Sequence, residues 1–277
     1  VLATKVSGYG RQTYLRAGGA LPRVDAANVA ESVDASLARL GVDHVDLLQI
    51  HWPDRYVGGL FGAPAYDVSK ERAGDVPFEE QLEALQRVVA AGKVRYVGVS
   101  NETSYGVMSF CAAAEAAGLP RITSIQNSYS LLVRGQFETD LAEVCAPRQG
   151  NVGLLAYSPL AGGALSGKYN ANTPGSAALA KARFSLFQGY MARYQQSLVR
   201  EAVDEYAKVA AKHGLTLTQL SIGFVHSRWF VASTIIGATT LPQLEENVAA
   251  FEVVLSDECL ADVDAVYRRF RDPAYNL

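Results

Sequence analysis

What this sequence has little of narrows its use first. Only three cysteines occur in 277 residues, Cys111, Cys145 and Cys259. They are too few and too scattered for a disulfide framework, which points to a reducing compartment. No CxxC pair or Cys/His cluster has ligand spacing, so no metal is expected. No apolar run approaches the roughly 18 residues of a membrane span. Neither sign of charge dominates, with 25 Lys and Arg against 28 Asp and Glu and a net charge of -3. That balance speaks against nucleic acid or an anionic membrane as an obligatory partner. A GxGxxG fingerprint after a strand is also missing. The nearest stretch, "SGYG" after Lys5, has the wrong spacing for a dinucleotide-binding first turn.

What is present is an alternation. Hydrophobic residues make up 49% of the chain, enough to bury a large core. Short runs rich in β-branched residues and Leu read as strands: "VLATK", "VDLLQIH", "YVGVSN", "ITSIQN", "VGLLAYS" and "ASTIIG". Apolar residues at consecutive positions suit parallel strands buried on both faces. Between them lie amphipathic stretches. "AANVAESVDASLARLG" puts Val29, Val33, Leu37 and Leu40 on one stripe, with Gly41 as a stop. "FEEQLEALQRVVAAGK" repeats the pattern with Leu82, Leu85 and Val89, and "YGVMSFCAAAEAAGLP", "LVREAVDEYAKVAAKHG" and "LPQLEENVAAF" follow. Repeated strand–helix units predict a parallel α/β sheet with right-handed crossovers. No linker or change of composition divides the chain, so one domain over residues 1–277 is expected. Six units are two short of a (β/α)8 barrel, and an open doubly wound sheet is the alternative.

The strand ends carry the chemistry. The residues closing the apolar runs are Lys5, His51, Asn101, Gln126, Tyr157 and Gly237. In a (β/α)8 barrel the C-terminal strand ends converge on one mouth, where active sites are built. Taken singly, each of these is ordinarily structural: a lysine caps a strand end in solvent, and Asn or Gln begins a turn. Together they predict a polar pocket. Late in the chain, "IIGATTLPQLEEN" runs from strand through Gly and two Thr into a helix with Pro242 in its first turn. Exposed N–H groups there, with the Thr hydroxyls, would make an anion site.

These motifs together resemble the aldo-keto reductases, in the Tas-like branch related to the voltage-gated potassium channel β subunits. The stretches that carry the resemblance are "ATK", "LLQIHWPD", "GKVRYVGVSN", "IQNSYSLL", "LLAYSPLAGGALSGKY" and "STIIGATTLPQLEEN", in order over essentially the whole chain. The resemblance implies a (β/α)8 TIM barrel binding NADP(H) at its C-terminal mouth. It implies a catalytic role for Lys5, whose cation lowers the pKa of a tyrosine, and for His51, which orients and polarises the substrate carbonyl. Ser100, Asn101 and Gln126 resemble the groups that hold the nicotinamide carboxamide, and Tyr157 the aromatic stacked on the ring. Ser158, Leu160, Ala161 and Gly162, with Lys168, resemble the loop around the pyrophosphate, and Arg183 the arginine approaching the adenosine end. Gly237, Thr239, Gln243, Glu246 and Asn247 match the element for the 2′-phosphate and adenine. Many family members carry a basic residue where Gly237 stands, so the 2′-phosphate is expected to rely on Thr239, Gln243, Lys168 and Arg183.

In the family, the strand that ends in the active-site lysine is the third of the barrel. The resemblance therefore implies that the first two βα units, on the order of 60–80 residues, are missing from this chain, which is expected to be N-terminally incomplete. The catalytic Tyr and the Asp that pairs with the lysine belong to those units. Tyr9, in a glycine-rich turn, is not expected to take the tyrosine's place. The long stretch from Trp52 to Asp75 reads as a substrate-side loop, with Trp52, Tyr56, Phe61 and Tyr66 available to line a pocket. Residues 163–196 form a second long segment, suited to clamping the cofactor or meeting a partner. Two functions of different class follow. One is an NADPH-dependent reductase that turns an aldehyde or ketone into an alcohol. The other is a cofactor-binding structural or redox-sensing subunit of a larger assembly. The cytoplasm and the plastid stroma both suit the branch.

Overall fold

A computed structural model of the chain describes residues 1–59, 65–172, 174–187 and 189–275. Its strands are β1 (Ala3–Val6), β2 (Val45–Ile50), β3 (Val94–Ser100), β4 (Ile122–Gln126), β5 (Gly153–Tyr157) and β6 (Val231–Ile235). The helices α1 (Ala26–Leu40), α2 (Phe78–Ala90) and α3 (Ser104–Ala117) alternate with the first four strands. Four short helices follow: α4 (Gly135–Glu138), α5 (Leu141–Cys145), α6 (Lys168–Ala171) and α7 (Arg183–Leu186). Longer ones complete the chain: α8 (Ser197–Lys212), α9 (Leu217–His226), α10 (Leu241–Ala249) and α11 (Asp257–Arg269). The strands form one sheet in the order β1-β2-β3-β4-β5-β6, and the pairs from β1 to β5 are parallel. Sequential parallel neighbours with helices between them are consistent with a (β/α)8 barrel. Among the described residues no helix is long and apolar enough to cross a membrane.

The chain packs as two compact units. Of the described residues, the first holds 1–59, 65–127 and 140–154, and the second holds 128–139 and 155–275. In the first unit the strand residues Leu48, Ile50, Val97, Val99, Ile122 and Ile125 are at most 2% exposed. Val29 and Val33 of α1 and Leu82 and Leu85 of α2 are fully covered. The helix ends follow their residues. Asp25 caps α1 by accepting from Asn28 N at 2.8 Å, and Gly41 closes it in the left-handed region at φ 67°. Leu40 departs from the expected stripe. It sits in the last turn, against the stop, and is 45% exposed.

The second unit is built on aromatic packing. Tyr129, Phe137, Phe224 and Phe230 meet with ring centroids 4.9–6.4 Å apart, and Tyr206 donates to Leu131 O at 3.0 Å. Two of the longer helices here were not among the sequence expectations. α9 is buried at every position from Leu217 through Val225 except Gln219, so it shows no amphipathic stripe to read. Its signature is instead the capping box of Thr216 and Gln219. α11 starts at a Ser256 cap that accepts from Cys259 N.

Candidate active site

In the first unit the polar cluster stands on strands. Lys5 lies within β1, one residue before its end, in register with Gln49 of β2. His51 directly follows β2, and its N–H donates to Val6 O at 2.8 Å. Burial lowers the Lys5 pKa. Burial first, and the Lys5 ammonium second, push His51 down to about 4, so the imidazole is neutral at physiological pH. Asn101, left-handed at φ 54°, donates through Nδ2 to His51 O at 2.8 Å and to Ser100 Oγ at 3.2 Å. Ser100 Oγ donates to Gln126 O at 2.7 Å, and Asn101 N donates to the same carbonyl at 3.0 Å. The structure thus joins His51, Ser100, Asn101 and Gln126 in one network. The Ser100 proton is spent on the backbone of Gln126.

The loop after His51 is tied at its base. Asp54 is 1% exposed and accepts from Arg23 Nε and Nη2 at 3.0 and 2.9 Å. It also accepts from the backbone N–H groups of Val24 at 2.9 Å and Val76 at 3.1 Å. Trp52 packs on the His51 ring at 4.5 Å and donates to Tyr9 O at 2.9 Å. Tyr56 and Tyr66 pair at 5.1 Å, and Phe61 lies outside the described residues. Arg72 lies 3.4 Å from the centroid of the Tyr9 ring. Tyr9 is therefore engaged in loop packing through both its ring and its carbonyl.

In the second unit Tyr157 closes β5 and accepts from Tyr129 N at 3.2 Å. Burial raises its hydroxyl pKa, against the pull of Arg193. The chain then turns through left-handed positions at Ser158, Ala161, Gly162 and Gly163, with φ 58°, 48°, 67° and 100°. Ala161 N donates to Ser158 O at 2.8 Å and Gly163 N to Leu160 O at 2.8 Å, which folds the loop onto itself. Lys168 stands at the start of α6, its pKa lowered by burial first and by Arg183 second. Arg183 begins α7 and is exposed. Farther on, Thr239 donates to Gln243 Oε1 from N and Oγ1 at 3.0 and 3.1 Å. Asn247 is 2% exposed and donates to Gly237 O at 3.4 Å, while the exposed Glu246 accepts from Thr216 Oγ1 at 3.2 Å. No hydrogen bond or ion pair among the described residues joins Lys168 or Arg183 to this last segment.

The model of the Aldo/keto reductase family matches residues 1–268. The chain is 42% identical to Protein tas of Escherichia coli, covering 99% of this chain and 76% of that protein. It is 37% identical to an aldo-keto reductase of Babesia bovis, covering 99% of this chain and 97% of that one. At 28% identity it also matches a Schizosaccharomyces pombe protein named as a voltage-gated potassium channel subunit beta, covering 96% of this chain and 70% of that one. The chain belongs to the aldo-keto reductase family. Aldo-keto reductases are oxidoreductases that generally use nicotinamide cofactors, so the second unit can be tested against a phosphate-bearing group. Lys168 and Arg183 are close enough to repel, and neither has a carboxylate partner among the described residues. Gly163 keeps a side chain away from Lys168, since a Cβ there would stand 3.1 Å from its Nζ. Two cations without an anion beside a glycine turn fit such a group. A metal fits less well. His213, Glu258 and Asp262 bring ligand-type atoms within 4.8 Å of one another, but Lys212 Nζ already pairs with both carboxylates at 3.0 and 2.7 Å.

Two residues escaped the sequence reading. Arg193 is 7% exposed and donates to the Tyr194 hydroxyl at 3.1 Å, beside Tyr157 and Tyr275. Gln49 accepts from Gln126 Nε2 at 3.3 Å. Arg193 gave no signal within the long segment that holds it. Gln49 was hidden inside a strand that reads as purely structural.

Proposed function

We propose that this aldo-keto reductase reduces an aldehyde or ketone to an alcohol with NADPH as the electron donor, its residues 1–277 forming one barrel domain. The observation that carries the reading is the pair of Lys5 and His51, a half-buried ammonium beside an imidazole held neutral with a pKa of about 4. When bound, NADPH supplies the hydride. A neutral His51 donates a ring N–H to the carbonyl oxygen and orients it, which a protonated imidazole beside Lys5 could do only at an electrostatic cost. Lys5 stabilises negative charge near that oxygen and lowers the pKa of the acid that delivers the proton. The resemblance makes that acid a tyrosine, and no residue of this chain is assigned the part.

In this reading Gln126, backed by Ser100 and Asn101, holds the nicotinamide carboxamide, and Tyr157 offers its face to the ring. Ser158, Leu160, Ala161 and Gly162 wrap the pyrophosphate, with Lys168 and Arg183 as countercharges. Gly237, Thr239, Gln243, Glu246 and Asn247 take the adenosine end. Trp52 and Tyr56 stand on the substrate side. The three free cysteines suit a reducing compartment, the cytoplasm or the plastid stroma.

A second reading, a cofactor-binding subunit of a larger assembly with little turnover, is favoured by the likeness to the protein named as a channel subunit. One experiment separates the two. The full-length protein is titrated with NADPH by fluorescence and assayed with 4-nitrobenzaldehyde, beside Lys5→Met. Tight binding with turnover that falls at least ~10³-fold in Lys5→Met supports the reductase. Tight binding without turnover supports the subunit. Failure to bind NADPH ends both.

A further inference from the structure

Gln49 is 1% exposed in β2, a strand otherwise of Val, Leu and Ile apart from Asp46. Its carboxamide is only half satisfied. Oε1 accepts from Gln126 Nε2 at 3.3 Å, while the buried Nε2 has no hydrogen-bond partner among the described residues. A buried amide with an unmet donor costs stability, and a leucine of similar volume would avoid that cost. Packing therefore does not account for a glutamine here. We propose that Gln49 is a positioning residue, one that fixes the side-chain amide of Gln126 for recognition of the nicotinamide carboxamide. The proposal rests on the reductase reading above.

The backbone geometry makes the contact between the two glutamines feasible. Gln49 is in register with Lys5 on one side and with Gly98 of β3 on the other. Neighbouring strands lie about 4.8 Å apart, so β2 and β4 are separated by about 10 Å, and two glutamine side chains must meet above β3. Gln126 is in register with Ser100 rather than Gly98, so the contact crosses β3 diagonally, starting beside Gly98. A Cβ there would come 2.5 Å from Ser124 Oγ and 3.4 Å from Leu47 Cδ1, so the position admits no side chain.

The Gln126 carbonyl is held independently, by Ser100 Oγ at 2.7 Å and Asn101 N at 3.0 Å. What those bonds leave open is the terminal amide, a broad two-fold rotor whose oxygen and nitrogen can exchange places. Gln49 engages one end of that rotor, its Oε1 accepting from Gln126 Nε2. Gln126 Oε1, which has no partner among the described residues, then stays available to accept from the N–H of the nicotinamide carboxamide. Fixing that bond fixes which face of the ring is presented.

The test is isothermal titration of the full-length protein with NADP+ and with its 3-acetylpyridine analogue, whose acetyl group keeps the carbonyl but has no N–H to donate. Gln49→Leu is expected to weaken NADP+ binding about tenfold, the effect of one well-oriented hydrogen bond. It should shift the analogue less than twofold. Gln126→Leu should reproduce that selective loss, and the double variant should add nothing to it. Equal losses on both ligands would show that Gln49 acts through packing, and no loss on either would show that it does nothing; both overturn the proposal. Wild-type protein that binds NADP+ tightly, with Gln126→Leu unaffected, would remove the role of Gln126 and this proposal with it. Wild-type protein that binds neither ligand would overturn the cofactor reading as a whole. Melting curves of each variant guard against misfolding, and Gln49→Leu is expected to melt no lower than wild type.

Discussion

The polar candidate groups of the first unit stand on strands or directly after them, and Ser100, Asn101 and Gln126 are tied to one another by several bonds. Asn101 alone touches the His51 carbonyl, the Ser100 hydroxyl and the Gln126 carbonyl. The candidate groups of the second unit are arranged differently. Lys168 and Arg183 extend from short helices after a left-handed loop, repel each other, and have no carboxylate between them among the described residues. In the proposed function the difference matches two kinds of work. Groups that must meet a reacting atom need positions set to a fraction of an ångström, which strands provide. Groups that neutralise phosphate act as charges and tolerate movement, so a loop can carry them.

The sharpest way to break this comparison is at the loop. Replacing Lys168 and Arg183 together by Ala should weaken NADPH binding about 100-fold, while turnover at saturating NADPH changes less than threefold. An equal fall in turnover would mean that these cations serve the chemistry as well, and the division between the units would fail. Steady-state kinetics at several NADPH concentrations reads both quantities.

A smaller effect should appear in the first unit as a dependence of stability on pH. His51 has a folded pKa of about 4 against an ordinary value of 6.5. Above 6.5 it is neutral whether folded or unfolded and contributes nothing. As pH falls from 6.5 toward 4 the unfolded chain takes up the proton first, so stability declines through that window. The decline should be roughly 1–2 kcal/mol, discounted for the half-exposed ring. Lys5 is shifted the same way, so its contribution has the same sign in the alkaline range. Urea midpoints from pH 7 to pH 4 should slope less in His51→Gln than in wild type. Parallel curves would mean that the imidazole is not held neutral by the fold.

The smallest effect belongs to the adenosine-end candidates. Thr239 Oγ1 donates to Gln243 rather than pointing away unpaired. Thr239→Val should therefore reduce the preference for NADPH over NADH by only two- to fivefold. A loss as large as that of the loop variant would move the 2′-phosphate contact from the two cations to this helix start.

Much of this arrangement could be read from the sequence, for a reason particular to parallel α/β chains. Strands buried on both faces print continuous apolar runs, so the polar residues that end them stand out. His51, Asn101, Gln126 and Tyr157 were visible in that way. Lys5 was visible too, although β1 continues one residue past it. Features that depend on register between distant segments left no local mark. The Gln49–Gln126 contact joins residues 77 apart, and Arg193 meets Tyr275 across 82. α9 was missed because burial at nearly every position removes the periodicity that reveals a helix.

Asp54 ties residues 23–24 to 76 through Arg23 and two backbone N–H groups. A loop clasped so firmly at its base can exchange its tip cheaply, since each doubling of loop length costs only about 0.6 kcal/mol in closure entropy. In the proposed reading of this loop as the substrate side, descendants of this chain could acquire new substrates by rewriting the stretch beyond Tyr56 while the clasp holds the fold unchanged. Variation among relatives should then gather at the tip and spare Asp54 and Arg23.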